Sequence, residues 1–247
     1  MRRESVCPLP QGQTSLPLFD FFEVKKEGSI LPMNKFKIVC YGDSNTWGYN
    51  PAQNGARYDD DIRWTQRLQD KLGKDFQVVE EGFSGRTTVF EDPVLEGANG
   101  LAPFHSIMIS QSPMDLLVIM LGTNDCKELF SANAMKITAG MRRLILKAQG
   151  MDIWRKRPQI LLVAPVCIGE KIYDLPDFSM GALCVEKSRR LPALFQALAE
   201  ETGCYFMDAN DCAATGTIDY LHFTPESHAS FAEGIYSRIE SLLPSLK

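Results

Sequence analysis

No stretch of the 247-residue sequence approaches the roughly 20 consecutive apolar residues of a membrane-spanning helix. Basic charge is not in excess either: 26 Lys and Arg face 31 Asp and Glu, for a formal net charge of −5. A nucleic-acid footprint needs a basic stripe, so this balance argues against one. The seven cysteines are odd in number and scattered, and none stands in a C-x-x-C pair. Neither a zinc knuckle nor a disulfide framework is indicated, and reduced thiols in a cytoplasmic protein are the plain reading. Glycine loops of the G-x-G-x-x-G or Walker type are missing. Internal repeats, low-complexity tracts and linkers are missing from residues 35–247. Histidine is scarcest of the catalytic residue types, with only His105, His222 and His228.

What is present is ordinary globular composition, 45% hydrophobic and 23% charged, enough to bury a full core. The amino terminus stands apart. Arg2-Arg3 imitates the start of a signal peptide, but Pro8, Pro10, Pro17 and Asp20 break every apolar segment behind it. Residues 1–34 therefore read as an irregular extension, with Met33 a second candidate start, and residues 35–247 as one domain.

Within that domain apolar runs alternate with helical stripes. The runs are Lys37–Tyr41, Phe76–Val79, Asp115–Leu121, Ile160–Ala164 and Tyr205–Met207. Those at 116–121 and 160–163 are continuous rather than alternating, as in strands covered on both faces of a parallel sheet. Between them Trp64, Leu68 and Leu72 recur at helical spacing, as do Met141, Leu144, Ile145 and Ala148. Leu194 and Leu198 mark a helix with Pro192 near its start or at a kink, and Phe231, Ile235, Ile239 and Leu242 mark the last. The pattern predicts an α/β fold, a three-layer α/β/α sandwich around a five-stranded parallel sheet. Two long connections, Phe90–Leu101 and Val166–Gly181, are candidate walls of a binding pocket.

Candidate chemistry gathers at the strand ends, where open α/β sheets place their ligands. The first strand hands over at Gly42-Asp43-Ser44, leaving a hydroxyl at the start of the next segment. Gly-Asp-Ser is also ordinary turn composition. A serine needs a base to become a nucleophile, and the histidines differ in their fitness for that task. His228 is expected to face solvent in the start of the last helix, and His105 to sit packed or half-exposed in a short helix. His222 lies in a loop, three residues after Asp219, so one turn can hold carboxylate against imidazole. Two further strand ends offer oxyanion donors: the backbone N–H of Gly85 and the side-chain amide of Asn124. A tight turn and a helix cap are the bland alternatives for these two.

Taken together, Gly42-Asp43-Ser44, Gly85, Gly122-Thr123-Asn124-Asp125 and Asp219-x-x-His222 resemble, in order, the four blocks of the SGNH hydrolases, or GDSL esterases. Asp61–Thr65, Glu80–Thr88 and Ile119–Asp125 look most like the bacterial arylesterases with acyltransferase activity. The resemblance implies a flavodoxin-like hydrolase fold. It implies Ser44 as nucleophile, His222 as base and then acid, Asp219 orienting it, and Ser44, Gly85 and Asn124 as the oxyanion hole. Asn45 stands where the family name has leucine, and Glu80 where many members have asparagine. The activity implied is hydrolysis of short-chain, acetyl-type esters through an acyl-enzyme, with acyl transfer to alcohols as an extension. It calls for a small-molecule ester and no metal or cofactor. Trp47, Ile168 and Phe178 are candidate substrate-pocket residues, although core packing is the commoner fate of such side chains. The arylesterase subgroup further implies self-association into homo-oligomers. Two competing functions stay open: a carbohydrate O-acetyl esterase, and a non-catalytic α/β module binding an anion at the helix start after Ser44.

Overall fold

In the computed structural model, which describes residues 35–176 and 180–246, the first apolar run forms strand β1 (Phe36–Gly42). The chain then enters the four-residue helix α1 (Ser44–Trp47) and a two-stranded antiparallel hairpin, β2 (Tyr49–Asn50) and β3 (Ala56–Arg57). Helix α2 (Trp64–Leu72) leads to β4 (Phe76–Gly82), and α3 (Phe104–Ser110) to β5 (Leu116–Met120). Helix α4 (Ala134–Gln149) precedes β6 (Ile160–Ala164), and α5 (Cys184–Thr202) precedes β7 (Tyr205–Asp208). The described chain finishes in α6 (Pro225–Leu246). The extension expected at residues 1–34 and the candidate Phe178 lie outside the described residues.

The five long strands form one parallel sheet in the order β4-β1-β5-β6-β7. Because side chains alternate across a strand, each strand feeds two cores. Val39 and Tyr41 of β1, with Leu117 and Ile119 of β5, pack against residues of α3, α4 and α5. Their neighbours Ile38, Cys40, Leu116 and Val118 pack against residues of α2 and α6 on the other face. The three layers follow directly, and with them the absence of polar alternation in these strands. The hairpin β2–β3 went unforeseen because strands of two residues carry no periodicity to read.

Register decides where the site falls. Gly42 pairs with Gly82 on one side and with Met120 on the other. The carboxyl ends of β1, β4 and β5 are therefore level. Ser44, Gly85 and Asn124 follow these three ends by two, three and four residues, so they leave the sheet along one edge.

Candidate active site

Helix α1 presents Ser44. Asp43 caps it, its side-chain Oδ1 accepting the Asn45 N–H at 3.0 Å. The helix closes on Gly48, whose φ of +93° suits glycine and whose N–H returns to the Ser44 carbonyl at 2.8 Å. Ser44 is thus the first helical residue, and its N–H has no acceptor within the helix. Close packing from β4 holds the turn in place. A side chain at Gly82 would strike the backbone of Thr46 and Trp47.

The loop between β7 and α6 brings in His222. His222 Nε2 lies 2.8 Å from Ser44 Oγ, and His222 Nδ1 lies 2.6 Å from Asp219 Oδ2. The other carboxylate oxygen of Asp219 accepts the backbone N–H groups of Leu221 and His222, each at 3.0 Å. That double acceptance needs a sharp reversal, and Tyr220 makes it with a φ of +55°. Burial alone would push the Asp219 carboxyl up. Hydrogen bonds from the His222 ring and from these backbone groups instead hold it below the usual carboxylate value. With Nδ1 tied to a carboxylate, Nε2 is the nitrogen free to take a proton from the serine.

The remaining blocks converge on the same edge. Phe83 N–H donates to the Gly42 carbonyl at 3.1 Å and Arg86 Nη1 to the same oxygen at 2.8 Å. Gly85 sits between them with a φ of +87°, a left-handed conformation that a side chain would disfavour. Asn124 begins a 3₁₀ turn after β5, and its Nδ2 donates to the Arg86 carbonyl at 3.2 Å. Asp125 locks the two loops together, accepting the Thr88 N–H at 3.0 Å and the Thr88 hydroxyl. Burial pushes Asp125 up to about 7 and Asp43 up to about 6, against the donors each has.

The expected site residues thus divide. Ser44, His222 and Asp219 form a hydrogen-bonded relay, and Asn124 lies against the loop that carries Gly85. Trp47 ends α1 half-buried, its ring beneath the Arg57 guanidinium at 5.5 Å. Ile168 is 1% exposed and packs in the core. His228 requires a correction: rather than facing solvent it is fully buried. Its Nδ1 accepts the Trp64 N–H at 3.3 Å, and burial, aided by Arg67 and Arg63, pushes the imidazole down to about 3. The signal was present in the sequence, since position 228 extends the 231, 235, 239 stripe back by one turn. His105 is exposed on α3.

Two residues beside the site have contacts that the sequence does not announce: Tyr49, absent from the sequence reading, and Glu80, present in it only as a departure from asparagine. Tyr49 of the hairpin stacks on the His222 ring, with centroids 4.2 Å apart and planes 26° from parallel. Glu80 gathers Arg63 Nε at 2.9 Å, Arg63 Nη2 at 3.0 Å, Gln66 Nε2 at 2.6 Å and the Thr65 hydroxyl. It pins the start of α2 to the sheet, and Arg63 Nη1 carries the tie on to the Tyr58 carbonyl at 2.7 Å, just past the hairpin. Burial alone would raise its carboxyl, but Arg63 and the other donors hold it low.

Among the described residues no group of His, Cys, Asp and Glu is arranged to hold a metal ion. No helix of these residues is long and apolar enough to cross a membrane.

The model of the GDSL-like lipase/acylhydrolase family matches residues 40–229. Among curated proteins none matches. Among solved structures, a carbohydrate acetylesterase from Sinorhizobium meliloti is 32% identical, with a TM-score of 0.78 over 84% of this chain and 100% of that one. The native aryl esterase of M. smegmatis is 33% identical, with a TM-score of 0.76 over 84% of this chain and 99% of that one. A lipase/acylhydrolase from Enterococcus faecalis, at 18% identity and a TM-score of 0.61, shares the fold.

Proposed function

Because this chain belongs to the GDSL-like lipase/acylhydrolase family and is a carboxylic ester hydrolase, we propose that Ser44 works through an acyl-enzyme on short-chain esters. The observation that carries this reading is the unbroken relay from Ser44 Oγ through His222 to Asp219, at 2.8 and 2.6 Å. In the first step Ser44 Oγ bonds to the ester carbonyl carbon as its proton passes to His222 Nε2. The imidazolium is stabilised by Asp219 at Nδ1 and by the Tyr49 ring above it. The tetrahedral oxyanion rests on the N–H groups of Ser44 and Gly85 and on the Asn124 amide. As the C–O bond to the alcohol breaks, His222 returns the proton to the leaving oxygen. Water, or a second alcohol, then attacks the acyl-enzyme with His222 again as base.

A small acyl group suits the geometry. Ser44 and His222 are each only 8% exposed, and Tyr49 covers one face of the imidazole. A second reading has a specific observation behind it: the Sinorhizobium meliloti structure, matched over its whole length, is a carbohydrate acetylesterase. The relay is the same for an acetylated sugar, and the two readings differ in the alcohol alone. The six described cysteines are free, which suits a reducing compartment, and we place the protein in the cytoplasm.

The experiment is a substrate panel of acetyl, butyryl and octanoyl p-nitrophenyl esters beside acetylated xylose. Falling kcat/KM from acetyl to octanoyl is the expected result. An octanoyl ester hydrolysed as fast as the acetyl ester overturns the short-chain assignment, and a preference for acetylated xylose selects the second reading.

A further inference from the structure

We propose that Asn45, the residue bonded directly to the nucleophile, is a positioning residue that sets the Ser44–His222 distance by gripping the backbone on both sides of His222. Its Oδ1 accepts the Phe223 N–H at 2.9 Å, and its Nδ2 donates to the Leu221 carbonyl at 3.4 Å. The two partners are the residues flanking His222 in sequence, 176 and 178 positions away from Asn45. The inference rests on the reading of Ser44 and His222 as nucleophile and base.

Asn45 is suited to this because it is itself immobile. It is 3% exposed, its N–H is held by Asp43 Oδ1 at 3.0 Å, and its carbonyl accepts Trp64 Nε1 at 3.1 Å. Trp64 in turn is fixed through its own N–H to His228 on α6. Among the described residues, the other bonds of the His222 loop join it to itself, to the first turn of α6 or to the β6–α5 connection. Asp219 Oδ1 accepts within the loop, Gly216 N–H donates to the His222 carbonyl at 2.7 Å, and Gly169 N–H donates to the Tyr220 carbonyl at 2.8 Å. These shape the loop but do not tie it to α1. From Ser44 to the imidazole, the shortest hydrogen-bonded route outside the relay is one peptide bond, one asparagine side chain and the backbone beside His222.

Leucine at this position would supply neither donor nor acceptor. The N–H of Phe223, a residue with no exposure, would lose its acceptor. The loop would shift to find another, and a displacement of about 1 Å at a reacting pair can cost up to about 10²-fold in rate. The loss should depend on the leaving group. An alkoxide must receive the proton that His222 carries, whereas p-nitrophenoxide leaves without one.

The test compares kcat/KM, which reports acylation, on ethyl acetate and p-nitrophenyl acetate for the wild type, Asn45→Leu, Asn45→Asp and Ser44→Ala. Near-UV circular dichroism checks the fold of each. Asn45→Leu is expected to lose about 10²-fold on ethyl acetate and about 10-fold on p-nitrophenyl acetate. Asn45→Asp, which keeps the acceptor for Phe223, is expected to recover part of that loss. If Asn45→Leu does not fold, the unequal loss on the two esters is read from Asn45→Asp alone. Equal losses on both esters in a folded variant, or no loss, overturn the positioning role. So does a folded Asn45→Asp no better than Asn45→Leu. An inactive Ser44→Ala beside an unimpaired Asn45→Leu defeats this inference alone, whereas a fully active Ser44→Ala defeats the reading of the site on which it stands.

Discussion

Replacing His228 with asparagine should change how stability depends on pH, and the buried imidazole gives the size of the change. His228 is without exposure, accepts the Trp64 N–H through Nδ1, and has the Tyr58 and Phe223 rings edge-on at 5.3 Å each. Its pKa falls from 6.5 to about 3, because burial and the nearby arginines oppose a further positive charge. The folded value is depressed, so the unfolded chain takes the proton first and stability falls as pH drops below 6.5. At pH 5 the unfolded histidine is almost fully charged and the folded one still neutral. The linkage is then 1.5 pH units, or about 2 kcal/mol, against almost nothing at pH 7.5. Asp43 and Asp125 act in the opposite direction. Raised to about 6 and about 7, they bind protons in the folded state before they do in the unfolded one, and so add stability as the pH falls. The wild-type curve alone is therefore a sum of opposing slopes. The difference between wild type and His228→Asn isolates the histidine. Asparagine keeps an oxygen near the position of Nδ1 and has no proton to gain, at the cost of a smaller side chain. Urea unfolding at pH 7.5, 6.5, 5.5 and 5.0 should show the wild-type advantage shrinking by about 2 kcal/mol across the series. A difference independent of pH would refute the reasoning and show that His228 does not stay neutral in the fold.

Two other perturbations have defined outcomes. Asn124→Ala removes one proposed oxyanion donor and should lower kcat by about 10²–10³-fold with modest change in KM, measured on p-nitrophenyl acetate; turnover at the wild-type rate would remove Asn124 from the proposed oxyanion hole. Glu80→Ala leaves Arg63, whose side chain is 6% exposed, without its main partner. A loss of about 3 kcal/mol in urea unfolding is expected, and Glu80→Gln, which keeps the acceptor oxygen, should lose less.

The sheet, its order of elements and the edge that carries the site were legible because burial on both faces writes itself into continuous apolar runs such as 116–121. That Ser44, His222 and Asp219 come together was legible for a different reason: a serine at a strand end and a carboxylate three residues ahead of a histidine leave few choices in a chain with three histidines. What could not be read depends on hydrogen bonds between distant residues. Asn45 registered only as a departure from leucine, because its partners lie some 176 residues along the chain. Tyr49 was invisible because its hairpin is too short to show a period. Glu80 registered only as a departure from asparagine. Its role follows from Arg63 and Gln66 arriving on a helix packed against the sheet. Ile168 looked available because it sits in a long loop, but the loop turns that side chain inward. For His228 the failure was one of pattern length, since the helical stripe was read from Phe231 rather than from one turn earlier.

The nucleophile itself can be identified by mass. Intact protein treated with a fluorophosphonate probe, which phosphonylates an activated serine, is then digested to locate the adduct. Wild type is expected to gain the mass of one probe less HF, since fluoride leaves as the Ser44 Oγ–P bond forms, on the peptide containing Ser44, and Ser44→Ala to gain none. An adduct on another residue, or a Ser44→Ala protein labelled at the wild-type rate, would contradict the assignment of Ser44.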